Sequence, residues 1–191
     1  MPISIHIDRA IIELNKGNII AIPTDTIYGL AADANNPEAI KKLNKIKKRD
    51  ESKYYIVQID SIKNIHNIVD NLSLNELNIL KKYWPGEITF IFNKSQSCTY
   101  SFLEETIGVR IPNHPITLNL LKCYSKALAV TSLNTAGEPA ILDYKKIPQE
   151  LNSQIAYIIP SISKTSNTAS TIVNMTSTPP SIIRQGAVQF K

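Results

Sequence analysis

A chain of 191 residues carrying 21 Lys and Arg against 16 Asp and Glu has a formal charge of +5, and 43% of its residues are hydrophobic. That length suits one domain with a sizeable core, and no apolar run approaches the roughly 20 residues that cross a bilayer. Two cysteines, Cys98 and Cys123, offer neither a disulfide framework nor a metal-ligand spacing, so a reduced, cytoplasmic setting and no protein-held metal are expected. In chain order, residues 8–16 read as a helix with Ala10, Ile11 and Leu14 on one face and Gly17 as its stop. Residues 18–23 read as a strand that runs into a loop through Leu30. Residues 37–48 form a helix opened by Pro37, with Ala39, Ile40, Leu43 and Ile46 as its apolar stripe. A strand follows at 54–59. Ser73 and Glu76 have the capping-box spacing for a helix to Tyr83, which Trp84-Pro85-Gly86 breaks. Strands are expected at 88–92 (a central one) and 107–111, a helix from Pro115 to about Tyr124, and further strands at 128–131, 155–159, 170–175 and 181–184. Helices and strands alternate first and strands dominate later, which predicts one α/β (α+β) domain over 1–191 with a twisted, mixed, open sheet. A Ser- and Thr-rich tract runs from Ser161 to Ser170.

Three polar clusters stand where apolar elements end. Thr24, Asp25, Thr26, Tyr28 and Gly29 follow the first strand; hydroxyls and backbone N–H groups there suit an amino acid or a phosphate, and equally a turn that caps its neighbours. Lys47, Arg49 and Lys53 close the second helix, where they either converge on phosphate oxygens or neutralise the helix dipole. Thr131, Ser132 and Asn134 follow another buried strand, and an Asn there can donate to and accept from a base, a ribose or a phosphate. No P-loop, G-x-G-x-x-G or G-x-S-x-G occurs. His6, His66 and His114 share no ligand spacing and read as surface or packing residues. The positive charge fits a solvated surface, or an anionic ligand such as a nucleotide or RNA, although no RRM or KH signature is present. The N-terminus lacks the features of a signal peptide.

These clusters, taken with four other stretches, resemble the YrdC-like family, the threonylcarbamoyl-AMP synthases. Pro23-Thr24-Asp25-Thr26-Ile27-Tyr28-Gly29-Leu30 is similar to that family's Pro-Thr-(Asp/Glu)-Thr-x-Tyr-Gly-Leu. Lys47-Lys48-Arg49 matches its Lys-x-Arg, and Ser132-Leu133-Asn134 its Ser-x-Asn. Trp84-Pro85-Gly86-Glu87-Ile88-Thr89, Val109-Arg110-Ile111-Pro112-Asn113-His114-Pro115, Ser170-Thr171-Ile172-Val173 and Arg184-Gln185-Gly186-Ala187-Val188 complete an ordered set that covers nearly the whole chain. The resemblance implies a short, single-domain synthase built around a positively charged cavity. Its activity would condense L-threonine, bicarbonate and ATP into threonylcarbamoyl-adenylate and pyrophosphate. Mg²⁺ would accompany the ATP, and downstream threonylcarbamoyl-transferase proteins would act on tRNA beside the anticodon. By position, Thr26, Arg110 and Ser170 would bind threonine. Lys47, Arg49, Lys53, Thr106, Ser132, Asn134 and Arg184 would bind ATP, with Lys47 and Arg49 stabilising phosphate charge. No general base is identified; Asp25 is a candidate that would otherwise orient its loop. The chain departs from the family at Tyr54, Leu133, Ala136, Ala140 and Asn174. A non-catalytic paralogue that binds double-stranded RNA or the ribosome is the alternative reading, and a nucleotide-binding regulator a third.

Overall fold

The computed structural model describes residues 2–48, 55–161, 163 and 165–191. Helix α1 spans Ile3–Asn15 and buries Ile7, Ala10 and Leu14, a stripe at helical spacing. It begins at Ile3 rather than near residue 8; Ile3 continues the stripe at helical spacing but, like Ile5, is exposed. Gly17 ends it at a φ of +70°, a conformation glycine adopts without steric cost. Strand β1 (Ile20–Ile22) pairs antiparallel with β2 (Gly29–Asp33). The second of these replaces the expected loop beyond Gly29. Gly-Leu-Ala-Ala-Asp contains no β-branched or aromatic residue to announce a strand; β2 exists because partners pair with it on both edges.

Helix α2 (Pro37–Lys47) is capped by Asn36, whose side chain accepts from the N–H groups of Glu38 and Ala39. Strand β3 (Ile56–Gln58) follows. Helix α3 (Leu74–Tyr83) carries the complete Ser73–Glu76 capping box, as the spacing predicts. Then come β4 (Ile88–Asn93), β5 (Thr106–Arg110), α4 (Pro115–Tyr124), β6 (Leu128–Ser132), the short α5 (Gln149–Asn152), β7 (Tyr157–Ile158), β8 (Thr171–Asn174) and β9 (Ser181–Arg184). Two short 3-10 turns, Ile62–Asn67 and Tyr144–Lys146, have no counterpart in the sequence reading. No described helix is long and apolar enough to cross a membrane.

The strands form one mixed sheet in the order β7-β1-β2-β6-β3-β5-β4-β8-β9. Pairing is parallel at β7/β1, β3/β5 and β4/β8 and antiparallel elsewhere. The middle place belongs to β3; the apolar β4 is interior but lies third from one edge. Because successive side chains on a strand point to opposite faces, register decides what each face carries. One face presents Ala21, Leu30, Ala32, Val57, Ile107, Val109, Ala129 and Val173, packed with α2 and with Leu80 of α3 in the larger core. On the other face, Ile20, Ile22, Ala31, Leu128 and Val130 pack under α1 and α4. The same face continues across Ile56, Gln58, Gly108 and Arg110 to Thr89, Ile172 and Arg184, as the register requires. There the apolar lining gives way to polar side chains, and a cavity opens.

Candidate active site

The cavity encloses about 340 Å³ and is lined from both ends of the chain: Thr24, Thr26 and Tyr28 from the β1–β2 loop, Gln58 and Arg110 from the sheet, Thr131, Ser132 and Asn134 from β6 and its exit, and Ser170 and Arg184 from the last two strands. That is the size of a small-molecule site. Tight packing shapes it. A side chain on Gly29 would meet Val130 at 2.7 Å, and one on Gly186 would meet the backbone of Ala169 at 2.2 Å and that of Thr171 at 2.4 Å. Both glycines are therefore close-approach positions that let the polar loops lie against the sheet.

Arg110 is 3% exposed and its guanidinium is held at three points. Nε donates to the Gly86 carbonyl at 2.9 Å, Nη1 to Thr26 Oγ1 at 2.9 Å, and Nη2 to Asp25 Oδ1 at 2.5 Å. Thr24 Oγ1 donates to the Ile27 carbonyl at 2.6 Å and lies 2.9 Å from Thr26 Oγ1. With its proton on Ile27, Thr24 accepts from Thr26, which accepts from Arg110: one consistent chain of donors. Asp25 spends its other carboxylate oxygen on the backbone N–H of Asn113 at 3.0 Å. Both of its oxygens are thus committed, and its place is that of Arg110's counter-ion and an anchor of its loop, not of a free base. Two of Arg110's five N–H donors remain after these bonds, on the side chain that faces the cavity.

Across the cavity, Arg184 donates from Nε and Nη2 to the Ser170 carbonyl at 3.0 and 2.8 Å, and from Nη2 to Ser170 Oγ at 3.2 Å. Ser170 is 2% exposed and also shares a 2.9 Å hydrogen bond with Thr89. Although Arg184 is exposed as a residue, its guanidinium folds onto Ser170. Partial burial, and then the Arg110 charge nearby, lower its pKa below the ordinary arginine value. Two guanidinium groups that repel one another across one cavity, of which the Asp25 carboxylate pairs with Arg110, make an anion-binding site.

The third cluster is joined differently from the expectation. Lys47 is only 2% exposed, and its ammonium donates to the carbonyls of Ser132 and Asn134, each at 3.0 Å, and to Asn134 Oδ1. Ser132 Oγ donates to the same Oδ1 at 2.7 Å, while Asn134 Nδ2 donates to the Glu138 carbonyl at 2.5 Å. Lys47 therefore lies behind the cavity wall, below the two residues that line it. Arg49 and Lys53 fall outside the described residues, as does Tyr54. Thr106 is not brought to the cavity lining: it begins β5, four residues before Arg110, about 13 Å along the strand, and pairs with Asn93. Thr26, Arg110, Ser132, Asn134, Ser170 and Arg184 do come together.

One polar lining residue escapes sequence reasoning. Gln58 is 2% exposed and its Oε1 is buried without a partner; register places it beside Arg110. A lone amide within Tyr55-Ile56-Val57-Gln58-Ile59 was the available signal, since a buried polar group asks for a partner. Thr131, which the sequence groups with Ser132 and Asn134, belongs to the lining as well. His114, read as a surface or packing residue, is buried at the N-cap of α4, with Nδ1 unpartnered and Nε2 3.5 Å from Ser161 Oγ. Burial lowers its pKa from the ordinary 6.5, against the opposite pull of Asp25.

The Sua5–YciO–YrdC family model, described as "Telomere recombination", matches residues 13–186. A threonylcarbamoyl-AMP synthase from Pyrococcus abyssi is 27% identical over 180 residues, which cover 93% of this chain and 53% of that protein. A protein of the same name from Vibrio cholerae is 30% identical over 159 residues, 81% of this chain and 84% of that one. Among solved structures, P. abyssi Sua5 complexed with L-threonine superposes with a TM-score of 0.88 at 27% identity, over 94% of this chain and 54% of that one. Escherichia coli YciO, at 22% identity and a TM-score of 0.86, covers 96% of this chain and 90% of its own and shares the fold. The chain spans about half the length of the P. abyssi and Bacillus subtilis relatives it matches.

Proposed function

Since this chain belongs to the Sua5–YciO–YrdC family, we propose that it is a threonylcarbamoyl-AMP synthase acting on L-threonine, bicarbonate and the Mg²⁺ complex of ATP. The observation that carries this reading is the pairing of Arg110 and Arg184 on one face of the sheet, with Thr26 and Ser170 beside them, around a cavity of small-molecule size. The threonine complex of the P. abyssi relative supports threonine as the amino-acid substrate. A guanidinium already fixed at three points meets a carboxylate without paying further ordering entropy, so Arg110 would anchor the threonine carboxylate through its two remaining donors. Thr26 and Ser170 would flank it, and Gln58 would offer its unpaired carbonyl to an amine or hydroxyl of the same ligand. Ser132, Asn134 and Arg184 would receive the nucleotide, with Arg49 and Lys53 as further cations for the triphosphate.

The chemistry needs no covalent enzyme intermediate. The threonine amine forms a carbamate with CO₂, losing a proton to solvent (with bicarbonate that proton leaves as part of a water), and a carbamate oxygen attacks the α-phosphorus as the bond to pyrophosphate breaks. Such a reaction is served by positioning and by fixed positive charge near the departing pyrophosphate. The adenylate would pass to transferase proteins that modify tRNA, and a cytoplasmic setting would suit that hand-over. The names of the relatives favour this reading over the RNA-binding one. The test is pyrophosphate release from ATP and Mg²⁺ with threonine and bicarbonate each supplied or withheld. Release is expected only when both are present; release that ignores threonine, or none from folded protein that binds ATP, overturns the assignment.

A further inference from the structure

Of Lys47, Arg49 and Lys53, which the sequence groups as phosphate ligands at the end of the second helix, Lys47 falls within the described residues, and protein oxygens surround its ammonium. Its three N–H donors face three acceptors, the carbonyls of Ser132 and Asn134 and the Asn134 side-chain oxygen. All of them belong to the segment where β6 leaves the sheet. A lysine buried to this degree keeps its charge at low cost only when its donors are met, so a triphosphate oxygen would have to displace one of these partners. We propose that Lys47 is a positioning residue: it ties the C-terminal end of α2 to the Ser132–Asn134 segment and thereby fixes the two side chains that receive the nucleotide, without itself binding phosphate. The proposal rests on the functional reading above for the identity of that ligand.

The tether has a second half. Asn134 Oδ1 accepts from both Lys47 and Ser132 Oγ, which sets the amide so that Nδ2 points to the Glu138 carbonyl. Without the ammonium, Oδ1 loses its charged donor and two main-chain carbonyls lose theirs. The amide is then free to turn, and Ser132 Oγ loses the orientation that Oδ1 imposed. Arg110, Thr26 and Ser170 take no part in this network, so the threonine side of the cavity should be indifferent to it.

Direct contact and positioning predict different patterns of loss. If Lys47 touched phosphates, Lys47→Met would weaken ATP most, ADP less and AMP least. A positioning role predicts a similar fold-loss for all three, about tenfold for the removal of charge-assisted hydrogen bonds. Calorimetric titration of ATP, ADP, AMP and L-threonine into the wild-type and variant chains reads this out. The expected result is a near-equal loss for the three nucleotides with threonine affinity unchanged. A loss that grows with phosphate number, or no loss, overturns the proposal; so does an equal loss for threonine, which a general structural defect would produce. Should Lys47→Met fail to fold, Lys47→Gln, which keeps a neutral donor of shorter reach, carries the same comparison. Amide hydrogen exchange across residues 132–138 supplies an arm that needs no ligand. Faster exchange confined to that segment in the variant supports the tether, and unchanged exchange overturns it. A wild-type chain that binds no nucleotide overturns the functional reading instead.

Discussion

At the scale of single residues, the site is governed by how buried polar groups find partners. Arg110 and Lys47 are equally hidden, yet one turns donors toward the cavity and the other is caged behind it. Both sit at the end of an element in a basic or polar motif, so the sequence could class them together; only the cross-chain acceptors at Gly86, Thr26, Ser132 and Asn134 tell them apart. Gln58 shows the converse, since an amide in an apolar strand carries no motif and becomes visible only through its unmet oxygen. His114 offers a test that follows from the same physics. Its burial favours the neutral ring and holds its pKa below the ordinary 6.5. In the unfolded chain the ring takes up a proton as pH falls through 6.5, whereas in the folded protein it does not until a lower pH. The unfolded state then binds more protons, and stability falls with acidification in that window. Urea denaturation between pH 7.5 and 5 should show wild type losing stability faster than His114→Gln. Parallel curves would mean that the imidazole ionises alike in both states.

At the scale of elements, what was legible is what is local. The Ser73 cap, the Pro37 and Pro115 helix starts and the Gly17 stop are short-range signals, and α2, α3 and α4 lie where those signals place them. Strands with β-branched runs, such as β4 and β8, were legible for the same reason. β2 was not, because Leu30, Ala31 and Ala32 acquire strand geometry from β1 and β6 rather than from themselves. The start of α1 was hidden because Ile3 and Ile5 are both exposed, so its first turns bury no apolar residue before Ile7. The Ser73 cap can be weighed directly. Ser73 Oγ accepts from the Glu76 N–H at 3.2 Å, and the Glu76 carboxylate accepts from the Ser73 N–H at 2.8 Å. Ser73→Ala removes the first bond and loosens the second, and should cost about 1 kcal/mol. The midpoint of urea unfolding should fall with an unchanged slope. A loss of several kcal/mol would show that α3 depends on this cap far more than a surface helix packed through Leu80 should.

For the molecule as a whole, the arrangement of strands explains why distant motifs meet. The face that α1 and α4 cover at β1, β2 and β6 continues onto β3, β5, β4, β8 and β9, where it carries Gln58, Arg110, Thr89 and Arg184. The loop after β1 and the segment before β8 close over it, joined where the N–H groups of Ser166 and Asn167 donate to the carbonyls of Asp25 and Thr26. Any ligand in this cavity therefore bridges residues from Thr24 to Arg184, nearly the span of the chain. Binding to such a site stabilises the folded state as a unit, because the unfolded chain cannot reproduce it. At a ligand concentration of a hundred times Kd the gain is about 2.7 kcal/mol. In a domain of this size each kcal/mol moves the melting temperature by about 2–4 °C, so saturating ATP with Mg²⁺ should raise Tm by about 5–10 °C. L-threonine should add to that shift and D-threonine should not, because inversion at Cα moves the amine and side chain away from Gln58, Thr26 and Ser170 once the carboxylate is held by Arg110. Differential scanning calorimetry with each ligand alone and in combination measures this. Equal shifts from both stereoisomers would mean that the amino acid is held by charge alone, and that the hydroxyl and amide groups lining the cavity do not read its shape.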